Sequence, residues 1–254
     1  YAPPAAEVGE GETPAFAASL EVADAPWAPT HRLVRIGLKS RETENSSVGQ
    51  IDGERVTVAE DVMIQVEFNP ATVASYRLIG YENRLRPNED FPKDARSPAG
   101  IGAGQSVTAL YEIVPTETSR EVAAAPTVDV LENQVKRAVS APRERPVGRL
   151  ETPGKSLLTV KVRYKKPATF ISKWLEFSVV DSRASFATAS ADFRFAAAVA
   201  QFGMVLRNSP HRGQATLAEV VTWAATAAAG PAGDPGGHRG KFIDLVRKTQ
   251  RMLR

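Results

Sequence analysis

Apolar and polar residues alternate along the first two thirds of the chain, which predicts β-strands with one buried and one solvent-facing side. The clearest run is Val62–Phe68, in which every second residue is Val, Ile, Val or Phe. Further runs occupy Phe16–Val22, Val34–Leu38, Val73–Tyr81, Val107–Ile113, Leu158–Tyr164 and Leu175–Val179. Because no helical pattern separates most of these runs, we expect antiparallel sheets packed as a β-sandwich.

The pattern changes to a helical period after residue 190. Phe193, Ala197 and Met204 recur at helical spacing, and a second apolar stripe contains Val199 and Leu206. This first helix is therefore predicted to be buried on much of its circumference.

Two more helices are predicted after it. One begins at a capping box, Thr216-x-x-Glu219, and ends before Gly230-Pro231. The other has a weak first turn, because three glycines surround its start. Its predicted apolar side consists of Phe242, Leu245, Val246, Thr249 and Leu253.

The sequence thus predicts an α+β fold, mainly an antiparallel β-sandwich over residues 1–183 followed by a three-helix region over 184–254. The helices are expected either to pack against the sandwich or to form a small separate bundle. Residues 116–154 are rich in Pro, Ala, Glu and Arg and resemble a flexible linker, whereas 40–55 are polar and without periodicity.

Composition narrows the class of protein further. Hydrophobic residues make up 43% of the 254 residues and the formal net charge is +3, which excludes a disordered chain and gives no indication of a nucleic-acid-binding protein. The chain has no cysteine, which excludes thiolate metal sites and cysteine nucleophiles. No apolar run is long enough to predict a transmembrane helix, and the first residues have no signal-peptide pattern.

Two short motifs suggest ligand sites but have plainer interpretations. Gly100-Ile-Gly-Ala-Gly104 resembles a dinucleotide fingerprint, yet a strand follows it instead of a helix, so it is interpreted as a strand entry or bulge. Asp181-Ser-Arg-Ala-Ser185 resembles a D-x-S-x-S cation motif. Because Arg183 occupies the middle hydroxyl position, the segment is predicted to be a turn between the last strand and the first helix.

No catalytic constellation is recognisable. His31, His211 and His238 lie far apart in sequence and are expected at the surface, and no nucleophile elbow or metal-ligand spacing occurs. We therefore predict no catalytic, cofactor-binding or metal-ligating residues, and no enzymatic activity.

The last predicted helix is strongly basic. Its cations could contact a protein partner or an anionic surface, or they could form a solvated face near a helix C-terminus, where the dipole favours positive charge. The candidate contact residues are Lys241, Arg247, Lys248, Arg251 and Arg254.

Five strings occur together in one order: Ala25–Lys39, Val62–Pro70, Tyr76–Arg84, Gly102–Pro115 and Ala191–Arg207. In this combination the chain resembles the YfbK-like family of bacterial von Willebrand factor A (VWA) proteins. The resemblance covers most of residues 13–250 outside the linker.

The resemblance implies that a VWA domain is normally inserted between two strands of the sandwich. Here the strands like Leu33–Lys39 and Val56–Phe68 are joined by residues 40–55 alone, so the domain was deleted, was lost in a paralogue, or lies outside the given sequence. The family's metal ligands then have no counterparts in this chain, and Mg²⁺ or Ca²⁺ would belong to the missing domain.

The same resemblance implies a bacterial, extracytoplasmic setting in the periplasm or at the cell surface. The expected function is a non-catalytic scaffold that mounts a metal-dependent adhesion domain and takes part in protein–protein assembly at the cell envelope. The alternative is an independent binding module for a protein partner or an anionic surface, acting through the basic C-terminal helix.

Overall fold

A computed structural model describes residues 15–41, 57–80, 101–117, 156–167, 171–230, 234 and 236–253. Eight strands come first: β1 Phe16–Ala25, β2 Ala28–Ser40, β3 Thr57–Phe68, β4 Val73–Leu78, β5 Ile101–Gly102, β6 Ser106–Pro115, β7 Ser156–Lys165 and β8 Ser172–Val180. A short 3₁₀ turn, Phe186–Thr188, then leads to three helices: α1 Ala191–Leu206, α2 Leu217–Ala228 and α3 His238–Met252. Most of the predicted linker and of the polar segment 40–55 lies outside the described residues.

The strands form two antiparallel sheets of four strands each. Sheet 1 has the order β1-β2-β6-β4, and sheet 2 has the order β5-β3-β7-β8. All seven predicted strands are present, and the two-residue β5 is the addition. The α+β class and the antiparallel sheets are therefore confirmed.

The period-2 pattern forms the core between the sheets. Val34 and Ile36 of sheet 1 and Val160 and Val162 of sheet 2 belong to one cluster and are all buried. Since alternate residues of a strand point to opposite faces, the same pattern leaves Leu33 and Leu110 on the outer side of sheet 1.

Helix α1 covers this outer side of sheet 1. Phe193, Ala197 and Met204 are buried together with Leu33 and Leu110 in a second apolar cluster. The start of α1 is fixed by polar contacts as well. The Ser190 hydroxyl, which caps the helix, donates to Glu21 Oε2 of β1 at 2.5 Å and accepts from the Phe193 amide at 3.1 Å. Of the two arrangements left open by the sequence, the structure has the one in which a helix packs against the sandwich.

Helices α2 and α3 pack against α1 and against each other. Ala198, Phe202, Val220, Ala224 and Val246 are buried in a third cluster formed by the three helices. The predicted capping box of α2 is present, since Thr216 Oγ1 accepts from the Glu219 amide at 3.3 Å and the Thr216 amide donates to Glu219 Oε2 at 2.7 Å.

Two helix faces differ from the prediction. Val199 and Leu206 of α1 are exposed, as are Leu245 and Leu253, which were assigned to the apolar side of α3. The buried side of α3 carries Val246, as predicted, together with Ile243. The apolar residues of these helices span a wider arc than their neighbours cover, and periodicity alone does not define which part of the arc is covered.

The start of α3 has more support than its glycines indicate. The Asp234 carboxylate accepts from the Gly240 amide at 2.8 Å and from the Arg239 amide at 3.1 Å. These bonds, first that from Gly240, hold the pKa of Asp234 below its ordinary value. A side chain that lies before the helix thus satisfies its first amides, which gives the first turn support that its glycines do not supply.

Candidate functional site

Ser40 and Thr57, which lie on either side of the segment 42–56, contact the same short strand, β5. Ser40, at the end of β2, donates its hydroxyl to the Gly102 carbonyl at 2.7 Å. Thr57, the first residue of β3, pairs with Gly102 in the β3–β5 ladder. We call the residues Ser40, Arg41, Thr57, Gly102 and Gln105 the junction. At the junction the chain leaves sheet 1 at Ser40 and enters sheet 2 at Thr57, and both residues contact Gly102.

A tight turn holds the junction together. Gly104 has a left-handed φ of 70°, which favours glycine and turns Gln105 back toward β5. The Gln105 side-chain oxygen then accepts from the Gly102 amide at 2.9 Å, and the backbone carbonyl of Gln105 accepts from the Ser40 amide at 2.8 Å. The predicted strand entry at Gly100–Gly104 is therefore confirmed for its described part, residues 101–104.

The junction also contacts Ala15, the residue before β1. The Arg41 amide donates to the Ala15 carbonyl at 3.0 Å, and the Arg41 carbonyl accepts from the Gly104 amide at 3.3 Å. Ser40 is 2% exposed. Buried hydroxyls of this kind are stabilised only when they are hydrogen-bonded, so this end of the sandwich has a defined geometry.

A second polar cluster lies between sheet 1 and α1, centred on Glu112 of β6. Trp27 Nε1 donates to Glu112 Oε2 at 2.9 Å, and His31 Nδ1 lies 2.5 Å from Oε1. Arg77, directly across from Glu112 on β4, donates to Oε2. Its NH2 group also lies 3.3 Å from the Met204 sulfur of α1. The cluster therefore joins three strands (β2, β4 and β6), the β1–β2 turn and the helical layer.

The electrostatics of this cluster keep Glu112 ionised. Burial raises its pKa, but the hydrogen bond from His31, the charge of Arg77 and the hydrogen bond from Trp27 together lower it below the ordinary value. A carboxylate only accepts hydrogen bonds, so the His31 nitrogen that faces it carries a proton. Because both oxygens of Glu112 are occupied by donors, this carboxylate is suited to a structural role and not to general-base catalysis.

A group of aromatic side chains packs together within the sandwich. Phe68 and Tyr76 stack with ring centroids 3.7 Å apart, and Tyr111 packs edge-on against Phe68 at 5.4 Å. Burial raises the pKa of Tyr76, and burial with the neighbouring Tyr76 raises that of Tyr111 to about 12. Both phenols stay protonated at neutral pH.

Asp181 has the turn role predicted for it. Its Oδ1 accepts from the Arg183 amide at 2.8 Å and from Arg32 NH2 at 2.6 Å. Arg32 is 7% exposed and also pairs with Asp24, its cross-strand neighbour on β1. Arg32 thus closes one end of the sandwich, and Asp181 is one of its partners. Within the described ranges no group of three or more His, Cys, Asp or Glu side chains could hold a metal ion.

The basic residues singled out on the last helix are on its outer side. Lys241, Arg247, Lys248 and Arg251 of α3 are exposed, whereas Arg254 lies outside the described residues. Arg247 NH1 lies 3.8 Å from Asp244 Oδ1, a long ion pair.

Arg239, a further cation of α3, has a different role. It pairs with Asp192 of α1, donates to the Ala227 carbonyl at 2.8 Å, and lies 5.2 Å from the centre of the Phe195 ring. These contacts hold the three helices together, so Arg239 does not belong to the outward basic surface.

Comparison with known proteins identifies the family. Residues 53–252 match the family described as "Uncharacterized protein YfbK, C-terminal". The chain belongs to this YfbK C-terminal family. The uncharacterized protein YfbK of Escherichia coli (strain K12) is 34% identical over 193 residues, which cover 75% of this chain and 30% of that protein. The aligned part thus spans about 30% of its length.

The family match begins within the segment that separates the two strands of the junction. Residue 53 lies in the segment between β2 and β3, so β1 and β2 precede the YfbK C-terminal region. Yet β2 pairs with β6 in the middle of sheet 1. The YfbK C-terminal region in this chain therefore forms sheet 1 only together with strands that precede it in sequence.

Sequence reasoning missed the Glu112 cluster. His31 was expected at the surface, but its ring is half-buried and bonded to Glu112. Trp27, His31 and Arg77 are 85, 81 and 35 positions from Glu112 in the sequence, so no local spacing identifies them. The one available signal was the polar Glu112 on a strand whose neighbouring outward position is Leu110.

Proposed function

We propose that this chain is a non-catalytic mounting and assembly region of a VWA-type protein at the bacterial cell envelope. In this proposal the sandwich carries a metal-dependent adhesion domain inserted between β2 and β3. A divalent cation, Mg²⁺ or Ca²⁺, would then belong to the inserted domain. The observation that carries the proposal is the meeting of Ser40 and Thr57 on Gly102.

An insertion requires a host fold whose chain ends at the insertion point stay close together. Ser40 and Thr57 meet this requirement, because both contact the same residue of β5 and both are held within a sheet. The hydrogen bonds of Arg41 to Ala15 and Gly104 fix the direction in which the chain leaves. Such a joint would orient a mounted domain relative to the sandwich.

The position of the family boundary supports the same proposal. The family match begins inside the segment between β2 and β3, although the strands on both sides share one fold. This is the arrangement expected when a sheet system is divided in sequence by an inserted domain. The relative's greater length leaves room for such a domain.

A scaffold role is also consistent with the polar clusters. Glu112, Arg32 and Asp181 are each engaged with other protein groups. These contacts stabilise the packing of sheets and helices, as a scaffold requires.

The experiment inserts a small folded reporter domain with adjacent termini between Val48 and Gly49. A matched insertion of the same reporter goes between Pro70 and Ala71, in the turn from β3 to β4. There the Asn69 side chain accepts from the Ala71 amide at 3.0 Å and donates to the Ser156 carbonyl at 2.8 Å. The free energy of unfolding of the sandwich is measured by urea denaturation of both proteins and the parent chain.

Insertion at residue 48 should cost no more than about 1 kcal/mol, because lengthening an existing loop has a small entropic cost. Insertion at residue 70 should cost more than about 2 kcal/mol, since it separates residues that form the turn. Equal costs at the two positions, or loss of cooperative unfolding on insertion at residue 48, would contradict the proposed mounting role.

An independent binding module is the second candidate. It is favoured by one observation, the exposure of Lys241 and Lys248 together with apolar neighbours on α3.

A further inference from the structure

The outward side of α3 combines apolar and cationic side chains in one stripe. Lys241, Leu245, Lys248 and Met252 follow each other at i, i+4, i+7 and i+11, which places them on one face of a helix. All four are exposed, Leu245 by 51% and Met252 by 76%. The buried side chains of α3, Ile243 and Val246, lie on the other side, so packing within the protein does not explain the apolar members of the stripe.

Helix α1 extends this apolar surface. Phe242 of α3 packs edge-on against Phe195 and Phe202 of α1, with centroids 5.4 and 5.5 Å apart. Val199 and Leu206 follow these two phenylalanines by four residues, and Leu245 follows Phe242 by three. By helical geometry they border the outer side of the seam between α1 and α3. Val199 and Leu206 are exposed by 43% and 52%.

The charges on the outward side of α3 are mostly positive. Asp244 is the sole acidic residue of α3; it lies three residues after Lys241 and four before Lys248, and its Oδ1 is 3.8 Å from Arg247 NH1. Of the other cations of the helix, Arg247 and Arg251 are also exposed, whereas Arg239 is held between the helices. Lys241 and Lys248 therefore present a positive field together with protruding Leu and Met side chains.

We propose that Lys241, Leu245, Lys248 and Met252, extended by Val199 and Leu206 of α1, form a docking surface for an anionic lipid bilayer. This surface is called the outer helical surface. Its lysines would lie at the lipid headgroups and its apolar side chains would enter the boundary of the acyl region. The inference does not depend on the proposed mounting role, because it rests on different elements of the fold.

The residue types favour lipid over protein as the occupant. The centre of a protein–protein interface is enriched in aromatic residues and depleted in Lys, whereas the outer helical surface contains two lysines and no aromatic residue. Long lysine stems can also extend from an apolar surface toward headgroup phosphates. The lysines therefore complement a surface that carries many mobile negative charges. An anionic lipid bilayer is such a surface, and it can be bound without a closely matching shape.

The test measures co-sedimentation of the full chain with vesicles of phosphatidylcholine alone and of phosphatidylcholine mixed with phosphatidylglycerol. Two charge variants are compared, K241E/K248E and the control K39E/R41E on the sandwich. Lys39 and Arg41 are also exposed, and each double substitution changes the net charge by −4, from +3 to −1. Because both variants have the same net charge, a difference in binding between them cannot come from overall charge.

The parent chain should bind the phosphatidylglycerol vesicles and lose this binding as salt is added. K241E/K248E should weaken binding by at least about twentyfold, since each cation near an anionic membrane contributes roughly a factor of five. K39E/R41E should change it by less than about threefold. Circular dichroism of each variant checks that α3 is still formed.

A second pair of variants tests the apolar contribution. L245S/M252S should weaken binding while its salt dependence is retained, whereas I171S, at an equally exposed position before β8, should have no effect. Binding that K39E/R41E weakens as much as K241E/K248E would overturn the proposal. So would failure of the parent chain to bind phosphatidylglycerol vesicles, and the surface would then fit an acidic protein partner instead.

Discussion

The outer faces of the two sheets carry similar residues but have different surroundings. On sheet 1, Glu112 of β6 is 4% exposed, because α1 covers that face. On sheet 2, Glu67 of β3 has a side chain that is 46% exposed and pairs with Lys161 at 2.7 Å. Both glutamates face outward from a strand and both have a cationic partner on a neighbouring strand. They differ in the covering layer and in the donors from Trp27 and His31 that accompany it at Glu112.

This covering layer changes the energetics of the same ion pair. An exposed pair such as Glu67–Lys161 gains little, because water screens the charges and two long side chains must be ordered. A buried carboxylate such as Glu112 depends on its donors, since an uncompensated charge in this position is strongly unfavourable. The helical layer therefore makes the fold depend on polar contacts that would be almost neutral at the surface.

The largest expected effect comes from Glu112→Gln. This change keeps the shape of the side chain but leaves the Arg77 charge without its carboxylate, so the free energy of unfolding should fall by about 3 kcal/mol. Glu67→Gln is the matched control and should change it by less than about 0.5 kcal/mol. Urea denaturation of both variants measures the difference, and equal losses would show that the covering layer has no influence.

The stabilisation by the Glu112 carboxylate should also make the free energy of unfolding depend on pH. The pKa of Glu112 in the folded chain is below its ordinary value of 4.5. Its contribution is therefore complete above that value and is lost as the pH falls through the folded pKa. The stability difference between the parent chain and Glu112→Gln should narrow on acidification below pH 4.5. A difference that stays constant or grows with acidity would contradict the depressed pKa.

The glycine that brings the helical layer close to sheet 1 is expected to be the next most sensitive position. Gly213, between α1 and α2, has φ +58°, and a Cβ there would overlap the Trp27 carbonyl. Gly213→Ala should therefore cost about 2 kcal/mol of unfolding free energy. Gly203→Ala is the control, because a Cβ at this position in α1 meets nothing within 4 Å. The control should instead stabilise the chain by about 0.5–1 kcal/mol, and destabilisation of both variants to the same degree would refute the close-approach argument.

Features encoded by neighbouring residues could be predicted from the sequence. The strand runs follow from alternation, and the start of α2 follows from Thr216 and Glu219, whose interaction spans a single turn. The basic outer side of α3 was predicted for the same reason. Local patterns of this kind need no knowledge of which elements pack together.

Features that depend on distant pairing could not be predicted. Leu245 has the same hydropathy as a core leucine, yet its side chain is 51% exposed. Arg239 and Lys241 are two residues apart, yet one contacts Asp192 and the other faces solvent. The role of Glu112 likewise depends on α1, which begins 79 residues later in the chain. Sequence distance, not residue type, separates the predicted features from the missed ones.

The smallest expected effect concerns the link between the two sheets at the junction. The Ser40 hydroxyl of sheet 1 donates to the Gly102 carbonyl of sheet 2 at 2.7 Å, and Ser40 is buried. Ser40→Ala should cost about 1 kcal/mol, the usual net value of one buried hydrogen bond. The control Ser178→Ala, on the exposed face of β8, should have an effect within about 0.5 kcal/mol of zero. Amide hydrogen exchange should also accelerate at Gly102 and Gln105 in Ser40→Ala, because their turn loses its side-chain contact with β2 and keeps only the backbone bonds. Unchanged exchange at these amides would mean that the sheets are held at this end by backbone pairing alone, and Ser40 would then have no part in orienting an inserted domain.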